Sequence, residues 1–389
     1  MTKKEKSAGF LHRNWKSAVI LLFAAAVFFA AWRWANPGKP ERPAPSGDYA
    51  EYENGKVLEI LSDSCQPDET AGGGYRGEQS MTVLVQTGQY KGKTLLAYNH
   101  VAPLYNAPLS PGDRVTLILS TYENGDISAS VYEYERSYGL LLIIAAFLLV
   151  TVLVGGKTGA KSVLGLALTI GCLLWVLLPA LLRGAPTVPS TFLLCAYVAV
   201  VCFTLLGGIN RKTLCAMLGT VAGTALAMLF GMGAQALLRI NGFRTSDVEP
   251  LLQLRQTGSP VGLQGLLTAG ILIGALGAVM DVAMSVSSAV WELKAVNPDL
   301  TGKQLWRSGM HIGKDMVGTM TNTLILAFMG GSFTLILYLY SLELPVHELL
   351  SSAYLSIEVI SGVASSMGVI LSVPLTAAIA AALFGKKGK

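Results

Sequence analysis

Apolar runs of about 20 residues recur along this chain, and that length is what a helix needs to cross a bilayer. In hydrocarbon every backbone N–H and C=O must be satisfied inside the protein, so such runs fold as helices and gather into a bundle. Eight runs qualify: residues 17–35, 138–154, 162–182, 190–208, 213–238, 266–290, 316–340 and 362–384. The stretch 345–361 is amphipathic and carries Glu348 and Glu358, which reads as an interfacial or re-entrant segment. Only 14% of the 389 residues are charged, against about 25% in soluble chains. A secreted disulfide scaffold, a disordered tail protein and a nucleic-acid binder are therefore excluded as the main reading. The expected fold class is mainly α: a polytopic transmembrane bundle of about eight spans. A small extracytoplasmic β-barrel-like domain is expected between the first and second spans.

Loop charge orients the bundle. Lys and Arg resist translocation, so they collect on the cytoplasmic side. With the N-terminus inside, the cytoplasmic segments hold sixteen Lys and Arg, among them Lys157, Lys161, Arg211, Lys212, Lys294, Lys303, Arg307 and Lys314. The short outer loops hold four: Arg183, Arg239, Arg244 and Arg255. Both termini are expected in the cytoplasm of a multi-pass cell-membrane (plasma or inner) protein. The basic residues 1–16 precede a span at 17–35 that ends in Trp32-Arg33-Trp34. Bulky aromatics there fit an interfacial anchor better than a cleavage site, so an uncleaved signal anchor is expected. A basic tail follows at 385–389.

A Pro-rich linker at 36–47 leads to residues 48–136, which read as a separate extracytoplasmic domain. Alternating runs at 56–61, 81–87, 93–98, 114–121 and 127–134 are bounded by Gly, Pro, Asn or Asp, the pattern of short strands. Glu123-Asn124-Gly125-Asp126 is a hairpin signal, because Asn-Gly accepts positive φ angles. Five strands suggest a small barrel, OB-like or SH3-like. The region holds thirteen acidic and six basic residues, a sign that argues against nucleic acid. It leaves a solvated acidic surface or a protein partner as readings. Cys65 stands alone in this domain, so no internal disulfide is expected. Cys172, Cys195, Cys202 and Cys215 fall in spans and read as packing residues.

Several motifs fail. Gly155-Gly156-Lys157-Thr158 resembles the end of a phosphate loop, but Thr151 stands where the pattern needs Gly and no nucleotide domain follows. It reads as a basic turn. His12, His100, His311 and His347 show no metal-ligand spacing. No hydrolase motif is present, and Asp281 and Asp315 lack the short motifs of intramembrane aspartyl proteases. No enzyme activity, metal or cofactor is therefore expected.

The informative region lies between residues 270 and 331. Asp281, Ser285 and Ser288 recur at i, i+4 and i+7, one face of a helix. Asp315, Thr319 and Asn322 repeat that spacing on the next helix, with His311 one turn earlier. Ionisable groups in a span cost roughly 2.5 to 3.5 kcal/mol and normally face a bundle interior or a wet cavity. Two readings stand. These six residues line an ion, proton or substrate path toward the cytoplasmic side, or they hydrogen-bond neighbouring helices. Gly219 and Gly223, and Gly270, Gly274 and Gly277, leave grooves for close helix approach.

The segments from Gly274 through Asp281 and Ser285 to Ser288, from Gly313 through Asp315 and Gly318 to Asn322, and from Gly368 through Pro374 to Thr376 resemble the YibE/F family of bacterial polytopic membrane proteins. The layout is similar too, with one N-terminal span, an extracytoplasmic β-rich region and a multispan bundle at 138–384. The resemblance implies a bacterial cell-membrane protein and carries over no catalytic residue. Two functions are expected from the residues. One is a permease-like or secondary transporter moving a small molecule or ion. The other is a non-transporting assembly or sensor protein whose outer domain binds a partner. In both the chain's partner is the lipid bilayer, with no nucleic acid.

Overall fold

A computed structural model describes residues 3–36, 49–69, 72–121, 127–240 and 262–385, with scattered positions between 252 and 260. The chain divides into two compact units, Gly38–Leu153 and Met1–Pro37 with Val154–Lys389. The expected linker, the Asn124-Gly125 hairpin tip and the loop bearing Arg244 lie outside the described residues.

The first unit is a barrel of β1 (Tyr49–Asp63), β2 (Gln66–Asp68), β3 (Gly74–Val85), β4 (Thr94–Val101), β5 (Arg114–Thr121) and β6 (Ile127–Tyr134). The five strands expected from alternation are all present, and β2 is an additional short strand hydrogen-bonded to β3. The long β1 pairs with both β3 and β5, and β4 closes on β6 in parallel. That closed Greek-key order is the OB-type arrangement of the two considered. Alternate residues point inward: Met81, Val83 and Val85 from β3, Val115, Leu117 and Leu119 from β5, Ala129 and Val131 from β6. Two polar residues are buried with them. Gln79 Oε1 accepts from Leu109 N (2.8 Å) and Asn99 Nδ2 (3.1 Å), and its Nε2 donates to Asp63 Oδ2 (2.9 Å) and Leu109 O (3.2 Å). Asn99 Nδ2 also donates to Ala107 O (3.0 Å). The pair pins the β4–β5 connection, so that Leu109 plugs the barrel interior.

The second unit is helical, with α2 shared between the units: α1 (Lys3–Ala35), α2 (Ser137–Cys172), a π-helical turn (Leu173–Leu177), α3 (Leu178–Leu182), α4 (Thr187–Gly207), α5 (Arg211–Leu237), α6 (Leu266–Val296), α7 (Gly302–Gly331), α8 (Phe333–Ser341), α9 (Val346–Ser351) and α10 (Ala353–Phe384). Among the described residues five helical stretches are long and apolar enough to cross a membrane, or six if α7 and α8, bent by 64° at their junction, count as one. Val19–Ala35 is a shorter apolar stretch.

Several boundaries differ from the sequence expectation. The helix expected over 316–340 begins already at Gly302 and breaks at Ser332, so the run spans two helices bent at their junction. The runs at 138–154 and 162–182 belong to one helical stretch of 46 residues, Ser137–Leu182. What reads as a turn is a kink, where Gly156 leaves helical geometry at φ 53° and ψ −133°. Glycine alone reaches such angles cheaply, so the ladder is interrupted without a loop. Residues 345–361 are not one re-entrant segment: Ser352 is extended, and α10 begins at Ala353, before the expected start of the last span. Glu358 therefore lies inside α10, where its carboxylate accepts a hydrogen bond from Ser332 Oγ at the α7–α8 bend. Finally, α6 continues to Val296, past the expected end at 290.

The bundle core joins α5, α6, α7 and α10 through small and β-branched residues, among them Ala275, Val279, Val282, Val286, Val290, Val369, Val373 and Ala377. Gly219 and Gly223 do allow close approach. A Cβ on Gly219 would stand 2.2 Å from Thr376 Oγ1, and one on Gly223 would stand 2.7 Å from Ser372 Cβ. Gly270 and Gly277 do not: nothing lies within 4 Å of a Cβ placed there, and Gly274 meets only the Phe328 ring at 3.1 Å and Ser365 Oγ at 4.0 Å.

Candidate functional site

Helical periodicity places the stripes as the spacing requires, but on the outer faces of their helices. On α6, Val279, Val282 and Val286 are fully buried, while Asp281 and Ser285 are exposed and Ser288 is half-buried. On α7, Leu305, Gly309 and Gly313 are buried, while His311, Asp315, Thr319 and Asn322 are exposed. Asp281 stands halfway along the 31-residue α6, and Asp315 near the middle of the 30-residue α7. The extension of α6 to Val296 puts Asp281 further from a helix end than the sequence boundary does.

The two helices are neighbours. A Cβ on Gly309 would stand 3.0 Å from both Val290 of α6 and Ala377 of α10. Met316, Val317 and Met320 of α7 pack on the cluster that holds Val282 and Val286. Of the stripe hydroxyls, Thr319 Oγ1 donates to Met316 O (3.1 Å), a local bond that leaves the stripe facing outward. The three ion pairs among the described residues all belong to the barrel. Neither Asp281 nor Asp315 takes part in one.

Asp281 opens on a cleft of about 430 Å³ between α2, α4 and α6. Ser162, Gly165 and Thr169 of α2, Cys195 and Cys202 of α4, and Gly277 and Met280 of α6 help to line it. No residue of α7 lines it, so Asp281 and Asp315 do not converge there. Thr169 Oγ1 donates to Gly165 O (2.9 Å) and lies 3.8 Å from Cys202 Sγ. The cleft is thus mainly apolar, with one carboxylate and a few hydroxyl and thiol groups. The Asp281 carboxylate has four lone-pair sites and no hydrogen-bond donor among the described residues, which suits it to a cation, a proton or a polar solute. Cys172, Cys195, Cys202 and Cys215 are buried and unbridged. Among the described residues no three His, Cys, Asp or Glu side chains form a metal-binding group.

Two buried polar residues of α6, Thr268 and Ser287, fall outside the stripe pattern. Ser287 is fully buried and its Oγ donates to Lys212 O at 2.7 Å, tying α6 to the start of α5. Its signal was available, since Ser287 follows Ala283 by four residues on the face that Val279, Val286 and Val290 define.

In the barrel, Asp63 Oδ1 accepts from Cys65 N (2.8 Å) while Oδ2 accepts from Gln79. The backbone bond from Cys65, with the Gln79 bond second, holds the Asp63 carboxyl below its ordinary range. Burial, reinforced by the neighbouring Asp63, pushes the Cys65 thiol up to about 11. On the outer surface Tyr52 and Tyr132 form an edge-to-face pair, with ring centroids 5.2 Å apart.

A family model described as YibE/F-like protein matches residues 143–386, more than half of the chain. No curated protein and no solved structure matches it.

Proposed function

The chain belongs to the YibE/F-like family, and from that premise we propose a multi-pass cell-membrane protein that acts as a permease-like or secondary transporter of an ion or small molecule. Eight membrane passages follow if α1 spans, if α2 counts as two helices about Gly156, and if α7 with α8 counts as one. Both termini are then cytoplasmic, in keeping with the loop charges.

One observation supports transport above the rest: Asp281, without an ion pair among the described residues and halfway along α6, faces a cleft between three helices. An acid against lipid is costly, and such groups normally mark a hydrated path. Sites near the middle of spans are where transporters hold their cargo. The carboxylate would bind the moving cation or proton, with Thr169 and Ser162 as neutral oxygen ligands along the cleft. Asp315, Thr319 and Asn322 form a second polar face on α7. Nothing in this reading needs an enzyme activity or a cofactor.

A second reading rests on the barrel. Its outer face exposes Tyr52, Tyr98 and Tyr132, and aromatic side chains with a polar tip favour recognition surfaces. On this reading the barrel binds a partner outside the cell and the bundle anchors it.

The discriminating experiment is electrometry on proteoliposomes holding the full chain, with steps in pH and in a panel of cations. Transport requires a saturable current that Asp281→Asn removes at unchanged protein incorporation. A current untouched by Asp281→Asn overturns the role of the site, and silence across the panel favours the anchor reading.

A further inference from the structure

The cytoplasm-facing end of α7, on the loop-charge topology, carries a basic cleft that the transport reading does not use. Gln304, Arg307, Ser308, His311 and Lys314 line a depression of about 810 Å³, with Trp306 and Leu300 among its apolar walls. Arg307, His311 and Lys314 follow one another at i, i+4 and i+7, so one helical face presents three cationic or protonatable groups. All three are exposed, and none joins an ion pair among the described residues. Glu292 and Asp299 lie nearby in sequence and Asp315 stands one turn beyond His311 on α7, but none of the three lines the cleft.

The cleft is held in shape by groups that do not themselves need a ligand. Lys294 Nζ donates to Pro298 O (2.7 Å) and Leu300 O (2.8 Å), folding the α6–α7 loop and fixing the Leu300 wall. Thr301 and Gln304 form a reciprocal capping box, in which Gln304 Oε1 accepts from Thr301 N (2.8 Å). That bond occupies the amide oxygen of Gln304 and leaves its NH₂ as a donor. The cleft therefore offers guanidinium, ammonium, imidazole, amide and hydroxyl donors, with no carboxylate among its lining residues.

Such a donor set matches a phosphate group, for which Arg supplies a planar fork and Lys a point charge. The apolar walls and the exposed Trp306 fit the carbon skeleton attached to that phosphate, since Trp favours the membrane–water interface. From this we infer that the α7 cleft binds the phosphate headgroup of an anionic phospholipid from the adjoining leaflet. The proposal is independent of whether the chain transports anything, and no pairing of Asp281 enters it.

The test uses the purified full chain in neutral detergent, with thermal unfolding followed against added phosphatidylglycerol, phosphatidylcholine or inorganic phosphate. Phosphatidylglycerol is expected to raise the unfolding temperature saturably, while phosphatidylcholine and millimolar phosphate leave it unchanged. Arg307→Gln with Lys314→Gln should weaken the phosphatidylglycerol midpoint by about tenfold or more, each lost charge-assisted bond being worth that order. Lys157→Gln with Lys161→Gln, another basic cytoplasmic pair, should leave it unchanged. Should the double variant fail to fold, Arg307→Lys keeps the charge, loses the fork and should weaken binding by a smaller factor. Equal protection by phosphatidylcholine, or an unweakened midpoint in the α7 variants, overturns the site. Equal protection by phosphate alone overturns the lipid as its source.

Discussion

Polar side chains inside the barrel and polar side chains on the outer faces of α6 and α7 obey opposite logics. In the barrel interior, Gln79 is fully buried and both ends of its amide are engaged, by Leu109, Asn99 and Asp63. On α6 and α7, Asp281 and Asp315 are exposed and form no ion pair among the described residues. A buried polar group without a partner costs about 1 to 3 kcal/mol, and engagement of both ends of the Gln79 amide removes that cost at the centre of the barrel. An acid left unsatisfied on a spanning helix earns nothing for stability. The contrast separates residues that hold the structure from residues that do not.

The largest effect expected comes from the packed glycines. Gly223→Val places side-chain atoms where Ser372 and Val279 already stand, at 2.7 and 2.8 Å from the new Cβ. Overpacking of this kind has no flexible chain end to move, and folded protein in the membrane should fall severalfold or vanish. Gly277→Val, with open space around it, should keep near-normal abundance. Membrane levels by immunoblot and monodispersity in detergent measure both. Similar losses for the two variants would erase the distinction between packed and open faces.

Next in size is the barrel network. Gln79→Ala strands Leu109 N, takes away one of the two acceptors of Asn99 Nδ2 and should cost about 3 kcal/mol, or a fall of roughly 10–20 °C in melting temperature. Residues 48–136 expressed alone should be soluble, monomeric and β-rich without oxidation, and give the scale for that measurement. A helical or unfolded chain by circular dichroism would refute the independent barrel, and a shift below a few degrees would remove Gln79 from the support of the β4–β5 connection. By contrast, Asp281→Asn and Asp281→Leu should both leave membrane abundance within about twofold of the parent, because the carboxylate holds no neighbouring helix in place. Surface changes of this type fall within about 0.5 kcal/mol. A severe loss with Leu but not with Asn would return Asp281 to a packing role.

These differences also explain what could be read in advance. Strand alternation is strict where one side of each strand faces a core, so β5 and β6 begin and end where the pattern of Val, Leu and Ile does. Helix periodicity likewise put Asp281 with Ser285 and Asp315 with Thr319 and Asn322. It could not say which face of a spanning helix is covered, because in lipid both faces carry apolar residues. That is why Gly270 and Gly277 read as a packing groove and lie open, while Gly219 and Gly223 are filled by α10. The Gly156 kink and the Ser332–Glu358 bond were equally hidden. One rests on a single backbone conformation, the other on a contact across 26 residues. The cleft beside Asp281 depends on three separate helices, which no periodicity in one helix encodes.

The smallest effect tests the barrel side of the comparison at Cys65, a free thiol that its surroundings should keep slow to react. Cys65 follows Asp63 by two residues, and burial together with that carboxylate disfavours its thiolate, raising it to about 11. In the unfolded chain the thiol titrates near 8.5, and only the thiolate attacks an alkylating agent. Between those values the unfolded chain loses protons that the folded barrel keeps. The contribution of Cys65 to stability is therefore present below about pH 8.5 and lost as pH rises toward 11. Asp63 runs the other way: its lowered carboxyl stabilises above the ordinary aspartate range and ceases to do so as pH falls through its folded value. At pH 9, iodoacetamide should modify Cys65 in the native full chain at least about tenfold more slowly than in denaturant, followed by mass spectrometry of the Cys65 peptide. Asp63→Asn removes the charge but not the burial, so it should raise the native rate part of the way toward the denatured rate and no further. Equal native and denatured rates would mean that the β1–β2 corner is open to solvent and that the Asp63–Gln79 bond does not close it.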